Sequence, residues 1–264
     1  MSALQRSKIE ANLNVSSRAL LESISVFPVI DSTNRYLKEY SSGVHLCVAE
    51  QQTAGKGRRN RDWLTTPSKN IMMSLSWQFE GWPESLSGLS LAVAAVIVEY
   101  LNKTLSLKTE IKWPNDILLG NRKLAGILVD ASGEPGGVCR VVIGLGLNVQ
   151  QDKGSVVIDQ AWTDLASNGV KALDRNVIIA DICSLWVDML VVFADKGWQP
   201  FIRTWQDNAA FINQNVRIEL GDKIIRGVLQ GVDEVGRLLV VEPDGGVLRL
   251  WDAELSIRAE EGLS

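Results

Sequence analysis

The sequence predicts an α+β protein whose main domain has a mixed sheet and whose second domain is a small β-barrel of SH3-like type. Over most of the chain, short β-rich runs joined by tight turns alternate irregularly with long apolar helical segments, unlike a regular βαβ winding. From Asn215 onward, short strand-like runs are separated by GD, EVG and PDGG turns, which is typical of a small barrel. A length of 264 residues is enough for one main domain and one appended domain.

The N-terminal part predicts a short polar helix or arm, residues 1–25, that leads to VFPVIDSTN. Pro28 interrupts an extended stretch there. Asp31 or Ser32 can cap a helix through STNRYLKEY, because a short side-chain oxygen accepts from the free amides of a first helical turn. The β-rich run VHLCVAE, residues 44–50, then leads directly into a glycine loop, which is a usual position for a binding site.

The middle of the chain predicts one strand, one core helix and a set of hairpins. Apolar and polar residues alternate from 71 to 78, the period of a half-buried strand. The segment LSGLSLAVAAVIVEYLN, introduced by Pro83 and Glu84, is apolar on most faces and predicts a core helix. Further strands are predicted at EIKW, DILL, RKLAGILVDA and VCRVVIGLGLNV, with a tight turn at Gly120-Asn121 and a flexible SGEPGG connection.

Two more helices, NVIIADICSLWVDMLVVFADKG and WQPFIRTWQDNA, are expected to close the main domain. The barrel strands are predicted at VRIEL, KIIRGVLQGVD, RLLVVE and VLRLW. We expect the boundary near Phe211 to Gln214, which gives an arm at 1–25, a main domain at 26–213 and a C-terminal domain at 214–264.

The composition is that of a globular protein, with 46% hydrophobic and 22% charged residues. A net charge of −4 argues against broad nucleic-acid binding, which depends on clustered cations. Cys47, Cys139 and Cys183 lie far apart and are predicted to be reduced core residues. The start has no apolar core of signal-peptide length, and the apolar stretch 89–98 is shorter than the roughly 20 residues that span a bilayer. We therefore expect a cytoplasmic protein.

The loop GKGRRNRDW predicts a phosphate-bearing ligand. Gly55 and Gly57 let the backbone approach a ligand closely, and crowded positive charge is unfavourable unless an anion neutralises it. The spacing matches neither the phosphate loop of NTPases nor a dinucleotide fingerprint. From the loop alone, an exposed and solvated basic surface explains the pattern equally well. The cations of this loop are Lys56, Arg58, Arg59 and Arg61.

The block IKWPNDILL places a cation, an aromatic ring, a proline, an amide and a carboxylate in five successive residues, 112–116. Pro114 restricts the backbone, so that Asn115 and Asp116 point in defined directions. A carboxylate beside a polyphosphate is a suitable Mg²⁺ ligand. The alternative is a turn residue that caps its own backbone.

Lys123, in RKLAGILVD, lies one hairpin turn beyond Asp116, so we expect the two side chains to be neighbours across two strands. A lysine among apolar residues is costly to bury unless an anion pairs with it. The alternative is a lysine at the sheet edge with its ammonium group in water.

Four blocks together resemble the biotin protein ligase family, the biotin–[acetyl-CoA-carboxylase] ligases. They are DSTN at 31–34, AEQQTAGKGRRNRDW at 49–63, KWPND with RKLAGIL, and GLGLNV at 144–149, in the family's order and approximate spacing. The resemblance covers about 27 to 258. It implies a biotin/lipoate ligase-like catalytic domain with a mixed sheet, followed by the SH3-like barrel.

The resemblance also implies the reaction. The carboxylate of biotin attacks the α-phosphorus of ATP, releases pyrophosphate and leaves biotinyl-5′-AMP, with Mg²⁺ as cofactor. A lysine of a biotin carboxyl carrier protein then attacks the mixed anhydride and releases AMP. Neither step needs an enzyme nucleophile, which agrees with a chain whose single histidine, His45, lies outside every block.

The resemblance assigns roles to matching residues, with Lys123, Arg58 and Asp116 as the catalytic set. In this set Asp116 would orient Mg²⁺ or the lysine. The ureido ring would contact neutral partners, and Trp63 would cover the apolar arm of biotin. The implied biotin contacts are Ser32, Thr33, Asn34, Gln52, Lys56, Gly57, Arg58, Trp63 and Lys123. The implied ATP contacts are Arg58, Arg61, Asn115, Lys123, Asn148, Trp162 and Arg258.

The chain departs from the family loop, which usually reads GRGRRGR, at two positions. Lys56 replaces an arginine, which matters less if this position contributes backbone. Asn60 replaces a glycine, and because asparagine tolerates left-handed backbone we expect the turn at Asn60 to persist. In addition, Thr53 stands where glutamine is common.

Other readings make different predictions. About 25 residues precede VFPVIDSTN, too few for the winged helix-turn-helix of some relatives, so we expect no operator binding; pairing of exposed strands into a homodimer stays open. A lipoate or octanoate ligase of the same fold would form an adenylate with lipoate but not with biotin. A non-catalytic binding protein would bind oligonucleotides in a salt-sensitive way without ATP turnover.

Overall fold

The computed structural model describes residues 2–63, 66–82, 86–134, 136–151, 161–171, 174–220, 223–251 and 255–260. The helices are α1 (Arg6–Asn12), α2 (Val15–Leu20), α3 (Thr33–Lys38), α4 (Leu86–Thr104), α5 (Arg175–Lys196) and α6 (Ile202–Asp207). The first strands are β1 (Leu21–Phe27), β2 (Val44–Ala49), β3 (Ile71–Phe79), β4 (Thr109–Lys112), β5 (Asp116–Leu119), β6 (Arg122–Gly133) and β7 (Cys139–Leu147). The last strands are β8 (Asn215–Leu220), β9 (Lys223–Val232), β10 (Leu238–Val241), β11 (Val247–Leu250) and β12 (Leu255–Ala259).

The strands form two sheets, which confirms the predicted α+β class. The first sheet has seven strands in the order β1-β2-β3-β7-β6-β5-β4, and the second has five in the order β11-β10-β9-β8-β12. β1 and β2 are parallel, whereas every other neighbouring pair is antiparallel, so the first sheet is mixed. The second sheet is antiparallel throughout, as expected for an SH3-like domain.

Helices α4 and α5 form the apolar layer beside the first sheet. Both carry long runs of fully buried side chains, such as Leu91 in α4 and Trp186 in α5. By length and composition, α5 is the one described helix that could cross a membrane. Since 61% of its apolar window is buried inside the protein, α5 has the character of a core helix.

Several local predictions are confirmed. Ser32 is the N-cap of α3, and its side chain accepts from the backbone amide of Arg35. Gly120 and Asn121 have φ values of 57° and 60°, the left-handed backbone that a two-residue hairpin turn requires. The residues Pro83 and Glu84 lie outside the described part.

The three cysteines are free and buried, as predicted. Burial raises the pKa of the Cys47 and Cys183 thiols to about 12, so both stay protonated at neutral pH. Neither thiol therefore has the thiolate character that reactivity needs.

Two expectations about the chain ends need correction. The predicted arm contains α1 and α2, but its last residues, 21–25, belong to β1 at the edge of the first sheet. Strand β12, which pairs with β8 through residues 255–259, was not predicted from the sequence. Both strands are short and form because a neighbouring strand offers unpaired backbone groups, which local patterns do not reveal.

The second sheet contacts the main domain beside the KWPND block. The indole Nε1 of Trp113 donates to the backbone oxygen of Gly236 at 3.2 Å. Trp198, at the end of α5, donates to the oxygen of Glu234 at 2.8 Å. These contacts fix the turn between β9 and β10 against the part of the first sheet that carries the candidate site.

Candidate active site

The N-terminus of α3 is connected to Gln52 by two hydrogen bonds. The backbone N and the Oγ1 of Thr33 donate to the Oε1 of Gln52 at 2.7 and 3.0 Å. Because the Oε1 of Gln52 accepts both bonds, its Nε2 points away from Thr33 and toward Gly55. A Cβ on Gly55 would lie 2.9 Å from this Nε2. Ser32 and Thr33 are buried beside this amide. The arrangement presents neutral donors and hydroxyl groups, as the predicted ureido contacts require.

Asn34 is buried, and both polar atoms of its side chain are engaged. Its Nδ2 donates to the Oδ2 of Asp130 at 2.9 Å, and its Oδ1 accepts from Ser74. Gly144 makes room for this amide, because a Cβ there would lie 2.2 Å from the Asn34 Oδ1. The side chain of Asn34 therefore anchors α3 on the sheet. Its predicted direct contact with biotin stays a prediction.

The glycine loop folds back on itself as a small hairpin. The backbone N of Gly57 donates to the oxygen of Arg61 at 2.8 Å, and that of Trp63 donates to the oxygen of Gly55 at 2.9 Å. These bonds leave a narrow loop whose tip carries the arginine pair 58–59. The loop thus has a defined shape of its own.

Lys56 lies within this hairpin opposite Asp62. The two residues form an antiparallel bridge, and the Nζ of Lys56 lies 2.7 Å from the Oδ1 of Asp62. The pair is partly exposed, at 34% and 63% of the side-chain surfaces. Lys56 thus contributes a backbone bridge and a charge partner within the loop.

The prediction that the left-handed residue of the loop is Asn60 is wrong by one position. Arg59 adopts the left-handed conformation, with φ of 57° and ψ of 32°, and Asn60 is not among the residues of positive φ. The turn therefore persists one residue earlier, at a residue for which this conformation is mildly strained. A glycine at position 60 is not required by this backbone.

Trp63 ends the hairpin and lies on two facing glycines of the sheet. Gly126 and Gly146 are cross-strand partners in β6 and β7. A Cβ on Gly146 would lie 2.1 Å from the Trp63 Cε2, and one on Gly126 would lie 2.9 Å from its Cζ3. The indole Nε1 is buried without a hydrogen-bond partner. The absence of side chains at both glycines creates the floor on which the indole rests.

Lys123 and Asp116 are paired across β5 and β6, which confirms the predicted proximity. The Nζ of Lys123 lies 2.7 Å from the Oδ1 of Asp116, and the two side chains are only 21% and 16% exposed. The same ammonium lies 5.3 Å from the centroid of the Trp63 ring. A half-buried lysine with a carboxylate on one side and an indole on the other is well placed to meet an anionic ligand.

Arg58 lies close to this pair. Burial, together with the charge of Arg59, lowers the pKa of the Arg58 guanidinium to about 10, whereas Asp116 acts in the opposite direction. Arg58 remains charged at neutral pH, and the lowered pKa reflects desolvation and repulsion that a bound anion would relieve.

Lys112 is a site residue that the sequence reading placed in the block but gave no role. Burial is the largest cause that lowers the pKa of its ammonium, and Asp116 opposes it. Three further cations, Lys123, Arg258 and Arg61, also lower it. Arg258 lies on β12, so the second sheet contributes charge to the same place. Lys112 and Asp116 flank the turn between β4 and β5 and pair across it, and this spacing in the sequence could have identified Lys112.

Two of the predicted nucleotide contacts are engaged with the backbone. The Nδ2 of Asn115 donates to the oxygen of Ile127 at 2.8 Å, which ties the KWPND turn to β6. Asn148 is buried, and its Nδ2 donates to the oxygen of Thr163 at 3.1 Å. Both amides therefore shape the walls of the site, and their contact with a nucleotide stays a prediction.

Trp162, one of the ATP contacts that the resemblance implies, lies beside Lys123, and its contact with a nucleotide stays a prediction. The two residues form a parallel bridge. The backbone N of Lys123 donates to Ala161, and the backbone oxygen of Lys123 accepts from Thr163, each at 2.9 Å. Lys123 is therefore held by strand pairing on both of its edges.

The described residues offer little to a resident metal ion. They contain no group of three or more His, Cys, Asp or Glu side chains that could hold one. Asp116 is a single carboxylate, and it is paired with Lys123 among other cations. A divalent cation would therefore need phosphate oxygens from a ligand to complete its coordination.

Comparison with known proteins agrees with this geometry. Residues 26–148 match the biotin/lipoate A/B protein ligase family, and residues 211–254 match the biotin protein ligase C terminal domain. The bifunctional ligase/repressor BirA of Escherichia coli (strain K12) is 39% identical over 244 residues, which are 90% of this chain and 75% of BirA. A biotin–[acetyl-CoA-carboxylase] ligase of Paracoccus denitrificans is 30% identical over 229 residues, 81% of this chain and 92% of that ligase.

A solved structure shows the same fold. The biotin protein ligase from Aquifex aeolicus, in complex with biotin and ATP, has a TM-score of 0.76 and 26% sequence identity. The match covers 91% of this chain and 99% of that one. Since the chain is 39% identical to BirA over 75% of BirA's length and matches both family domains, the chain belongs to the biotin protein ligase family.

Proposed function

We propose that this chain is an ATP-dependent biotin protein ligase. It activates biotin to biotinyl-5′-AMP and transfers biotin to a specific lysine of the biotin carboxyl carrier protein of acetyl-CoA carboxylase. The observation that carries the proposal is the half-buried Lys123–Asp116 pair, which lies beside the Trp63 indole and among the cations Lys112, Arg61 and Arg258. The names of the relatives support the substrates biotin and ATP and the acetyl-CoA carboxylase carrier.

Biotin would bind with its ureido ring near the N-terminus of α3. The Oε1 of Gln52 accepts from Thr33, which leaves its Nε2 as a donor, and the Ser32 hydroxyl caps the same helix end; a neutral ring with a carbonyl and two N–H groups would find complementary partners there. Trp63 lies in contact with the glycines 126 and 146, so its indole would move aside and cover the apolar part of the ligand when biotin enters. The carboxylate would then extend toward Lys123.

The first step needs no protein nucleophile. The carboxylate oxygen of biotin attacks the α-phosphorus, and pyrophosphate leaves with the electron pair of the broken P–O bond. The negative charge that develops would be stabilised by Lys123, Arg58 and Lys112. Catalysis would therefore act mainly through positioning and electrostatics. His45 takes no part in this scheme, since it is buried with Ser23 and Ser42 as hydrogen-bond partners.

In the second step, the amine of the carrier lysine attacks the carbonyl of the mixed anhydride, and AMP leaves. Closure of the loop over the anhydride would exclude water and prevent hydrolysis. Mg²⁺ would enter together with the phosphates of ATP, with Asp116 as the protein carboxylate nearest to it. Arg61, Asn115, Asn148, Trp162 and Arg258 are the proposed nucleotide contacts.

We propose a cytoplasmic location, which agrees with three buried and unpaired thiols. Sedimentation velocity with and without biotin and ATP tests whether the protein forms a homodimer.

The decisive experiment is biotin-dependent exchange of pyrophosphate into ATP in the presence of Mg²⁺. We expect exchange by the unmodified protein, no exchange by Lys123→Ala and weakened exchange by Arg58→Gly. Arg203→Ala removes an arginine of α6 that is 92% exposed, so it serves as the charge control. Absence of exchange by the unmodified protein would refute the proposal.

The same assay separates the two other readings. Exchange with lipoate or octanoate but not biotin would identify a different carboxylic-acid ligase. Salt-sensitive oligonucleotide binding without exchange would identify a non-catalytic binding protein.

A further inference from the structure

A buried ion pair lies outside the residues discussed so far. Arg175, the first residue of α5, is 1% exposed, and its Nη1 lies 2.7 Å from the Oε2 of Glu50. Its Nη2 donates to the Oε1 of the same carboxylate at 3.1 Å. The two side chains therefore share one hydrogen bond and one close charge contact, while the Oε2 of Glu50 is buried without a hydrogen-bond partner among the described residues.

The pair joins the two ends of the loop that carries Arg58 and Trp63. Glu50 follows directly after β2, and Asn70 directly precedes β3, so these two residues are the roots of the loop. The Nη1 of Arg175 also donates to the backbone oxygen of Asn70 at 3.0 Å. One guanidinium therefore binds both roots at once.

Asn70 extends the connection to the segment after the GLGLNV block. Its Oδ1 accepts from the backbone N of Val149 at 2.9 Å, and its Nδ2 donates to the side chain of Gln151. Gln151 in turn accepts from the backbone N of Thr66 at 3.2 Å. The segment 66–70, which leads from the loop into β3, is thus held by a network of hydrogen bonds that is buried from water.

The N-terminal residues cover the other side of the pair. The backbone N of Leu4 donates to the Oε1 of Glu50 at 2.7 Å, and the backbone oxygen of Ser2 accepts from Arg175 at 3.0 Å. Gln5 donates to the side chain of Asn176 at 2.8 Å. These contacts exclude water, so the pair keeps its geometry.

We infer that Arg175 and Glu50 are positioning residues for the loop: they hold its two roots at a fixed separation, so that the hairpin carrying Trp63 closes on biotin in one position. The inference rests on the proposed function, since biotin is the ligand over which the loop closes. It concerns retention of biotin and of its adenylate, not the chemistry at phosphorus.

The physical argument is one of preorganisation. A buried ion pair gives little net stability compared with apolar residues of the same volume, so its geometry is the feature that matters here. If the roots are loosened, the loop samples more conformations and loses more entropy when it closes. The Michaelis constant for biotin then rises, whereas exchange at saturating biotin is largely preserved.

The test compares two conservative variants with a control of stability. Glu50→Gln keeps an acceptor for Leu4 but removes the charge, and Arg175→Lys keeps the charge but cannot reach both roots. Val187→Ala trims a fully buried side chain of α5 away from the network and serves as the control. Each protein is first checked for a cooperative melting transition.

We expect Glu50→Gln and Arg175→Lys to raise the Michaelis constant for biotin by about tenfold or more, with the maximal exchange rate within about threefold of the unmodified protein. Both should also release biotinyl-5′-AMP faster. Val187→Ala should lower the melting temperature without changing the Michaelis constant. Unchanged constants in folded variants, or an equal rise in Val187→Ala, would overturn the inference.

Limited trypsin digestion gives a readout without catalysis. Trypsin cuts after lysine and arginine, and the loop carries four of these residues between 56 and 61. Biotin should protect the loop in the unmodified protein and in Val187→Ala, but much less in the two variants. Equal protection in all proteins would contradict this inference but not the proposed function. Lack of protection in the unmodified protein would count against the proposed function.

Discussion

Lys123 and Asp116 form an ion pair across neighbouring strands, with 2.7 Å between the Nζ and the Oδ1, inside a field of other cations. The carboxylate therefore holds the ammonium in place until a ligand anion arrives. We propose that the two side chains form one functional unit, in which the lysine would meet the reacting groups and the carboxylate would orient it.

The first prediction concerns the coupling within this unit. Lys123→Ala should lower kcat/KM for exchange by about a thousandfold or more, and Asp116→Asn by about ten- to a hundredfold. Because the residues act together, the double variant should be no worse than Lys123→Ala alone. Steady-state exchange kinetics of the three variants check this, and additive losses would contradict it.

The second prediction concerns the glycine floor. Gly146→Ala places a methyl group 2.1 Å from the Trp63 Cε2, so the indole must move and the biotin groove changes shape. We expect the Michaelis constant for biotin to rise by about tenfold or more. Gly81→Ala is the matched control, because a Cβ there meets nothing within 4 Å. Equal kinetics for the two variants would show that Trp63 does not shape the groove.

The third prediction concerns pH. The pKa of Lys112 is lowered from 10.5 by burial and by nearby cations, and bound phosphate would favour its charged form. The affinity for ATP should therefore fall as the pH rises through this lowered pKa, and ATP binding should take up protons there. Calorimetry of ATP binding in two buffers of different ionisation enthalpy measures the uptake.

Lys112→Arg is the control for this effect, because the guanidinium keeps its charge over the same range. In this variant the fall should move to higher pH, because a guanidinium keeps its proton to higher pH than an ammonium does. An unchanged pH profile would assign the effect to another group.

The fourth prediction concerns Lys56, where the chain departs from its relatives. Since its side chain pairs with Asp62 in a partly exposed position, we expect Lys56→Ala to change the free energy of unfolding by at most about 1 kcal/mol. The Michaelis constant for biotin should change by less than about threefold, since the backbone bridge remains. Thermal melts and exchange kinetics test both values, and a tenfold rise would indicate a direct ligand contact.

The sequence predicted the parts of the fold that local patterns determine. The Gly120-Asn121 turn, the cap at Ser32 and the hairpin that joins Asp116 to Lys123 each depend on residues close together in the chain. Local rules such as capping preferences and turn chemistry suffice for them.

Contacts between residues that are distant in the chain could not be predicted from local sequence patterns. Arg175 resembles any charged residue in the first turn of a helix, and only the folded chain shows that it lies beside Glu50, 125 residues away. The left-handed residue of the loop is Arg59 and not Asn60, because cross-loop pairing from Gly57 to Arg61 sets the turn. In both cases tertiary contacts override the local preference.

The contact of Trp63 with the facing glycines 126 and 146 limits which residues these two positions can accept. Every substitution at either position adds at least one carbon atom where Trp63 already lies within contact distance. No coding change at these positions is conservative in size, so even alanine is a large perturbation. Substitutions at these two positions should be selected against as strictly as substitutions of the charged residues proposed to face the phosphates, although a glycine offers no side-chain group at all.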